Sequence, residues 1–364
     1  MNILKKFTLF LITVSVVSCV DVYDPKLTNS AQRLVVEGRI TTELDYHWIF
    51  LTYDAGYNSQ ENNFTFLVKN AKVWITDNAG NRYDFIDDQN QKSNLVTAVG
   101  FDYRSKDKFR AVVGRTYQLF IQTENGKQYR SKPETIKAVP KLDKVYWEFR
   151  ELPVSFNTPR GEFLVYTDLQ DSPTPNEYFK WEAIHWYQTS FCRYWVLRSD
   201  PPQFFKDRCC GDCYESSVCY DCSQIASDEL VNGKELRKKF IARVPYDDVT
   251  PYYLAIKQFS ISEEVHRFWN TVQQQAQNTG GLFDVTPKSV RGNMESVNNS
   301  EEEVLGIFSA SDVSEKILYV SRNITKVKPF DPPSETYRTT NVCYPCLEAY
   351  NRSPNPPKGW VQLK

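Results

Sequence analysis

Histidine is scarce in this chain. Of 364 residues, only His47, His185 and His266 carry an imidazole, so a mechanism that needs several of them converging is nearly excluded. No HExxH, GxSxG, phosphate-binding loop or dinucleotide glycine fingerprint occurs either. The common routes to metal-hydrolase, serine-hydrolase and nucleotide chemistry therefore lack their sequence marks. There is no long basic run, and the formal charge is -1. Nucleic acid, whose phosphates call for a concentrated cationic surface, is not an expected partner. An apolar run of about 20 residues, the length of a membrane-crossing helix, is also missing.

Aromatic residues, by contrast, are abundant: 22 Phe, 22 Tyr and 8 Trp against 14 Gly and 2 Met. These side chains favour pleated, half-buried strands, so a mainly β fold is expected. At the N-terminus, Lys5 and Lys6 precede an apolar run from Phe7 to Val17 that ends at Ser18-Cys19. That run has the length of a signal-peptide core. Ser18 fits a peptidase pocket, and the thiol of Cys19 is the nucleophile a bacterial lipoprotein signal offers for acylation. Residues 1–18 are thus expected to be a lipoprotein signal peptide, with Cys19 the lipidation site and the membrane a partner through N-terminal acyl chains. The alternative is an ordinary secretion signal ending near a cysteine. Loss of Lys5 and Lys6 would take the formal charge from -1 to -3.

Residues 19–32 are polar, include a proline and show no period, as a tether would. From Leu34 the pattern becomes short runs divided by turn chemistry, with strands expected at 34–40, 48–53, 71–76, 82–86, 108–113, 115–122 and 128–130. Asp77-Asn78-Ala79-Gly80 and Glu124-Asn125-Gly126 supply the residues tight hairpins need. An N-terminal β-sandwich domain is expected over 33–140, and a second β-rich domain over 141–326. The fold class is then two β-sandwich-like, immunoglobulin-like domains, the second carrying one inserted amphipathic helix and a cysteine-rich loop. Along Tyr178 to Tyr187, Phe179, Trp181, Ala183 and His185 share one face by the period of two. His185 on such a face reads as a hydrogen-bonded core residue sooner than a reactive one. Ser260-Ile261-Ser262-Glu263 resembles a capping box, and Val265, Phe268, Trp269, Val272 and Ala276 form one apolar stripe, predicting a helix over 261–279. The proline-rich tail, 327–364, must lie across the second domain.

Taken in order, LVVEGRIT, VWITDNAGNRYDF, VGRTYQLFI, YYLAIKQFSISEEVHRFWNTV, GGLFDVTPKSVRGNM, EVLGIFSASDVSEK and a late CxxC before PPKGW resemble the domain of unknown function 4249 family of Bacteroidota outer-membrane lipoproteins. The similarity covers nearly the whole mature chain and is most specific from Tyr252 to Lys316. It implies a lipid-anchored outer-membrane protein that accompanies a TonB-dependent receptor, and it brings no catalytic residues. Asp21 and Asp24, just after the acyl site, resemble the signal that sends such lipoproteins to the cell exterior. The cysteine-rich insert at 209–222 exceeds what the family leads one to expect.

Eight further cysteines, Cys192, Cys209, Cys210, Cys213, Cys219, Cys222, Cys343 and Cys346, are an even set in an exported chain, which favours disulfides. Three CxxC pairs among them also have the spacing of thiolate zinc ligands, the alternative reading. The insert has too little apolar content to offset its own ordering entropy, so crosslinks must order it, and at least one tail cysteine is expected beside the insert or Cys192. The local alternative is a bond between Cys343 and Cys346. Carboxylate pairs at Asp87-Asp88 and Asp247-Asp248 read as solvated turn charge. Trp186, Tyr187, Tyr194 and Trp195 are a conceivable platform for sugars or peptides, but core packing explains them more simply. The expectation is a non-enzymatic envelope protein, a ligand-binding or accessory subunit with no cofactor and an unspecified ligand. An exported hydrolase with an unrecognised carboxylate site and an envelope scaffold are the alternatives.

Overall fold

A computed structural model describes residues 32–54, 67–87, 102–153, 160–170, 176–189, 191–198, 203–218, 224–227, 235–276, 290–323, 327, 329, 343–346 and 351–360. Residues 1–31, with Cys19 and nearly all of the tether, lie outside them, as do Asp88, Cys219 and Cys222.

The described residues open with eight strands: β1 (Leu34–Thr41), β2 (Trp48–Tyr53), β3 (Lys72–Asp77), β4 (Arg82–Asp87), β5 (Asp102–Ser105), β6 (Thr116–Gln122), β7 (Gln128–Ser131) and β8 (Glu134–Thr135). Alternation shapes each one: β6, for example, buries Tyr117, Leu119 and Ile121 while its intervening residues are half-exposed. The β3–β4 hairpin is closed by Asp77, whose carboxylate accepts from the backbone N–H of Ala79 and of Asn81 at 3.0 and 2.8 Å, with Gly80 at a φ of 85°.

Then follow β9 (Lys144–Glu151), β10 (Gly161–Gln170), β11 (Tyr178–Gln188), β12 (Phe191–Leu197), β13 (Gln203–Arg208), β14 (Tyr214–Val218), β15 (Gln224–Ser227), β16 (Glu235–Pro245) and β17 (Tyr252–Ile261). The helix α1 (Glu263–Ala276) comes next, then β18 (Met294–Ser296), β19 (Leu305–Ser311), β20 (Val313–Val320) and β21 (Arg352–Ser353). The fold is mainly β with one described helix, in several sheets.

The first sheet runs β18-β7-β6-β3-β4-β5-β2-β1-β19, with β8 also paired to β6. Its two outermost strands therefore come from after the helix, and β19 joins β1 in parallel, Val36 opposite Gly306. The sheet curls until these edges meet. Asn293 beside β18 donates its side-chain amide to the Phe308 carbonyl at 2.7 Å and accepts from the Phe308 N–H at 2.9 Å, as one more ladder rung would. Such an approach needs glycine: Gly306 sits at a φ of 96°, and a Cβ on it would collide with the backbone of Val36, as one on Gly292 would with that of Gly306.

The second sheet, β16-β10-β9, packs its Phe163, Val165 and Val244 against Trp181, Ala183, Leu254 and Ile256 of a third, β20-β17-β11-β14-β21, in one buried cluster. Along β11 the expected apolar face is buried, but Lys180 on the opposite face is buried as well. Both sides of this strand are covered, the second by α1 and the first sheet. Ser262 caps α1, accepting from the Val265 N–H at 3.3 Å. Val265, Phe268 and Trp269 then pack with Tyr178 and Phe259 of the third sheet and Ile307 of the first, so the helix seals the junction between the two.

One expectation needs correction. Residues 108–113 do not form a strand: Phe109 makes an isolated bridge to Asp45, and the Val112 N–H goes to the Tyr117 hydroxyl rather than to a neighbouring strand. The place is taken by β5, which pairs with β2 and β4. Just before the cysteine-rich insert β12 and β13 pair with each other, and within it β14 adds to β11.

Candidate functional site

Six of the eight predicted cysteines, those among the described residues, converge where the tail meets the third sheet. Three disulfides join Cys192 to Cys209, Cys210 to Cys343 and Cys213 to Cys346, with Cα–Cα separations of 4.9, 4.9 and 5.3 Å. The local Cys343–Cys346 bond is not formed. Backbone bonds accompany the bridges: Cys210 N–H donates to the Tyr344 carbonyl and Tyr344 N–H to the Arg208 carbonyl, both at 2.9 Å. The sulfurs of Cys192, Cys213 and Cys346 lie within 4.8 Å of one another, so two of the bridges are stacked. With these sulfurs bonded in pairs, zinc ligation would require both bridges to be reduced first.

Past the bridges the tail continues across the sheet. Arg352 pairs with Glu215 at 2.9 Å and donates to the Cys192 carbonyl at 3.2 Å, while β21 extends β14. Trp360 stacks on Tyr253 at 4.1 Å and meets the Tyr214 ring at 4.9 Å, and Tyr319 completes the group at 5.1 Å from Tyr253. This aromatic clasp was not anticipated. The only signal for it was the PPKGW stretch, where an isolated tryptophan follows prolines that cannot build structure of their own.

Other residues with chemical potential are dispersed. His47 is buried, bonded through Nε2 to the Phe109 carbonyl at 3.0 Å, and burial lowers its pKa. His185 shares a 2.9 Å bond with the Tyr252 hydroxyl, and burial pushes it down to about 4, so it is a neutral core residue at ordinary pH. His266 lies on α1 beside Tyr178, ring centroids 5.0 Å apart. Asp247 pairs with the buried Arg322, and Asp248 accepts from the Val249 N–H at 2.6 Å, so this pair serves turn structure. Asp87 ends β4. Of the proposed aromatic platform, Tyr187 stacks on Tyr252 at 5.8 Å and Trp186 is half-buried; Tyr194 and Trp195 sit in β12, their side chains outside the described set.

Sequence reasoning missed two polar clusters, one joining the first sheet to the third and one joining the first sheet to the cap of α1. Arg39 of β1 makes a two-pronged bond to Glu182 of β11 at 2.7 and 2.9 Å, and Lys180 reaches the same carboxylate at 2.8 Å. Burial alone would raise the Glu182 pKa, but Arg39 and Lys180 hold it below the usual carboxylate range. Both cations are backed by rings, Arg39 over Phe259 at 4.1 Å and Lys180 over Trp269 at 3.6 Å. Nearby, Glu134 of β8 is 3% exposed. One of its oxygens accepts from Asn293 at 2.8 Å and from Ser262, the helix cap, at 3.2 Å, and the other has no partner. Burial raises this carboxyl to about 7. Its position between the first sheet and the cap of α1 makes it a buried joint of the scaffold.

A family model described as a domain of unknown function (DUF4249) matches residues 20–317. No curated protein matches the chain.

Proposed function

Since the chain belongs to the DUF4249 family, we propose that it is a Bacteroidota outer-membrane lipoprotein, tethered through Cys19, that works without catalysis as a ligand-binding or accessory subunit of a TonB-dependent receptor. The observation that carries the exported part of this reading is the trio of disulfides, which persist where no glutathione pool reduces them. Support for the anchor comes from Lys5, Lys6, the apolar run and Ser18-Cys19, followed by residues with tether composition. A non-catalytic role is supported by the fate of the residues that could have reacted, since the histidines and the Asp247-Asp248 pair are spent on packing and turns.

Two measurements test the proposal. The Cys19→Ser chain should lose labelling by a fatty-acid probe and remain unprocessed or soluble; labelling that persists refutes the anchor. Stable anchoring needs two or more acyl chains, since one binds only marginally. Capture of the native protein from solubilised outer membranes should recover a β-barrel receptor, and recovery of the lipoprotein alone refutes the partnership.

A further inference from the structure

Seven large apolar side chains are exposed among the described residues, and four of them, Leu44, Tyr46, Val112 and Val113, fall on two adjacent loops at one end of the first sheet. The loops are laced together by backbone bonds from Phe109 N–H to the Asp45 carbonyl at 3.2 Å and from Ala111 N–H to the Thr41 carbonyl at 3.0 Å. Leu44 is the most exposed of the seven, at 60%. Tyr46 is held face-on by the Arg104 guanidinium, 4.0 Å from its centroid, with the Lys108 ammonium at 5.1 Å. Across the two loops Lys106, Lys108 and Arg110 are exposed against two exposed acids, Asp45 and Asp107, and Lys108 pairs with Asp45 at 3.0 Å, which leaves Lys106 and Arg110 as the cations in excess. Tips that combine aliphatic residues, a tyrosine and flanking cations have the composition of elements that settle at a bilayer surface, where rings and apolar chains enter the headgroup region and cations meet anionic lipid.

We infer that these two loop tips form a second, non-covalent membrane contact, taking an anionic lipid surface as their ligand. The inference rests on the anchored reading above, which places the chain beside a bilayer. The patch exposes on the order of 300 Å², well below the roughly 800 Å² that each partner of a standard protein interface buries, but enough to orient a molecule already held at a membrane. Reach is also compatible. β1 leads from the tether to the patch over about 26 Å, and the tether residues 20–32 can span up to about 45 Å, so acyl chains and loop tips can meet one surface together.

The test uses the chain from residue 20 onward, which lacks both the apolar leader and Cys19 and keeps every residue of the described structure, so it reports on the loops alone. Co-sedimentation is measured with vesicles of phosphatidylethanolamine and phosphatidylglycerol, and with vesicles of neutral lipid only. Binding to the anionic vesicles is expected, falling about tenfold or more with Leu44→Asp and about fivefold with Lys106→Ala. Both residues are exposed, and an unchanged melting temperature in each variant shows that folding is retained. No binding to anionic vesicles, equal binding by parent and variants, or a Leu44→Asp effect confined to a protein–protein complex overturns the inference. Failure of the acyl anchor is read separately from fatty-acid labelling of the unmodified chain.

Discussion

Replacing Glu134 by glutamine tests the joint between the first sheet and α1. The folded protein holds this carboxyl at about 7 against an ordinary 4.5, chiefly through burial, with Glu264 of α1 adding to the rise and with Ser262, Asn293 and Lys132 opposing it. A raised folded pKa means that the folded state binds the proton more tightly than the unfolded one. The stabilisation is complete below about 4.5, is lost as pH climbs through about 7, and stays lost above that. The difference of roughly 2.5 units corresponds to about 3 kcal/mol, and a residue so buried needs little discount for solvent screening. Glutamine keeps the shape and still accepts from Asn293 and Ser262 through its carbonyl. Its amide group takes the place of the oxygen that has no partner, leaving one unsatisfied polar atom where there already was one. Urea midpoints from pH 4.5 to 8.5 should therefore show Glu134→Gln close to the parent at pH 4.5–5 and more stable by up to about 3 kcal/mol at pH 8. A difference between the two proteins that stays flat across this range refutes titration of Glu134.

Three other outcomes follow from the same geometry. The Cys210–Cys343 and Cys213–Cys346 bridges each span 133 residues, yet with one in place the other closes a ring of only about eight residues. Removing either pair as serines should cost about 2.5 kcal/mol and removing both about 7.5; denaturant midpoints that add up simply would contradict this coupling. Glu182→Ala leaves buried Lys180 facing Arg39 without its counter-charge, and because the carboxylate is about one-third exposed the expected loss is about 2–3 kcal/mol, to be read against Arg39→Ala in a double-mutant cycle. Gly306→Ala places a methyl group into the Val36 backbone at a left-handed position and should cost at least about 3 kcal/mol, seen as lost soluble yield or a large drop in melting temperature; an unchanged melting temperature would show that the sheet edges are not so close.

Composition, period and turn chemistry by themselves determined most of the strands, the helix and the hairpin at Asp77-Gly80, because these depend on residues within a few positions of one another. The alternation at Phe179, Trp181 and Ala183 and the stripe at Val265, Phe268 and Trp269 are of this kind, as is the expectation that crosslinks order the insert. Local reasoning failed at 108–113, where an apolar run reads as a strand but its backbone bonds go to Asp45 and the Tyr117 hydroxyl. Only the tertiary structure decided that β19 lies parallel to β1, some 270 residues earlier, and that Asn293 completes the ladder where the sheet edges meet. The pairing of the cysteines was equally out of reach, since eight of them allow 105 arrangements. Glu134, Arg39 and Lys180 carry no local signature, as ordinary charged residues in a polar-looking pattern. The burial of Glu134 and Lys180, and the ion pair Arg39 makes, exist only once sheets and a helix from distant parts of the chain have closed together.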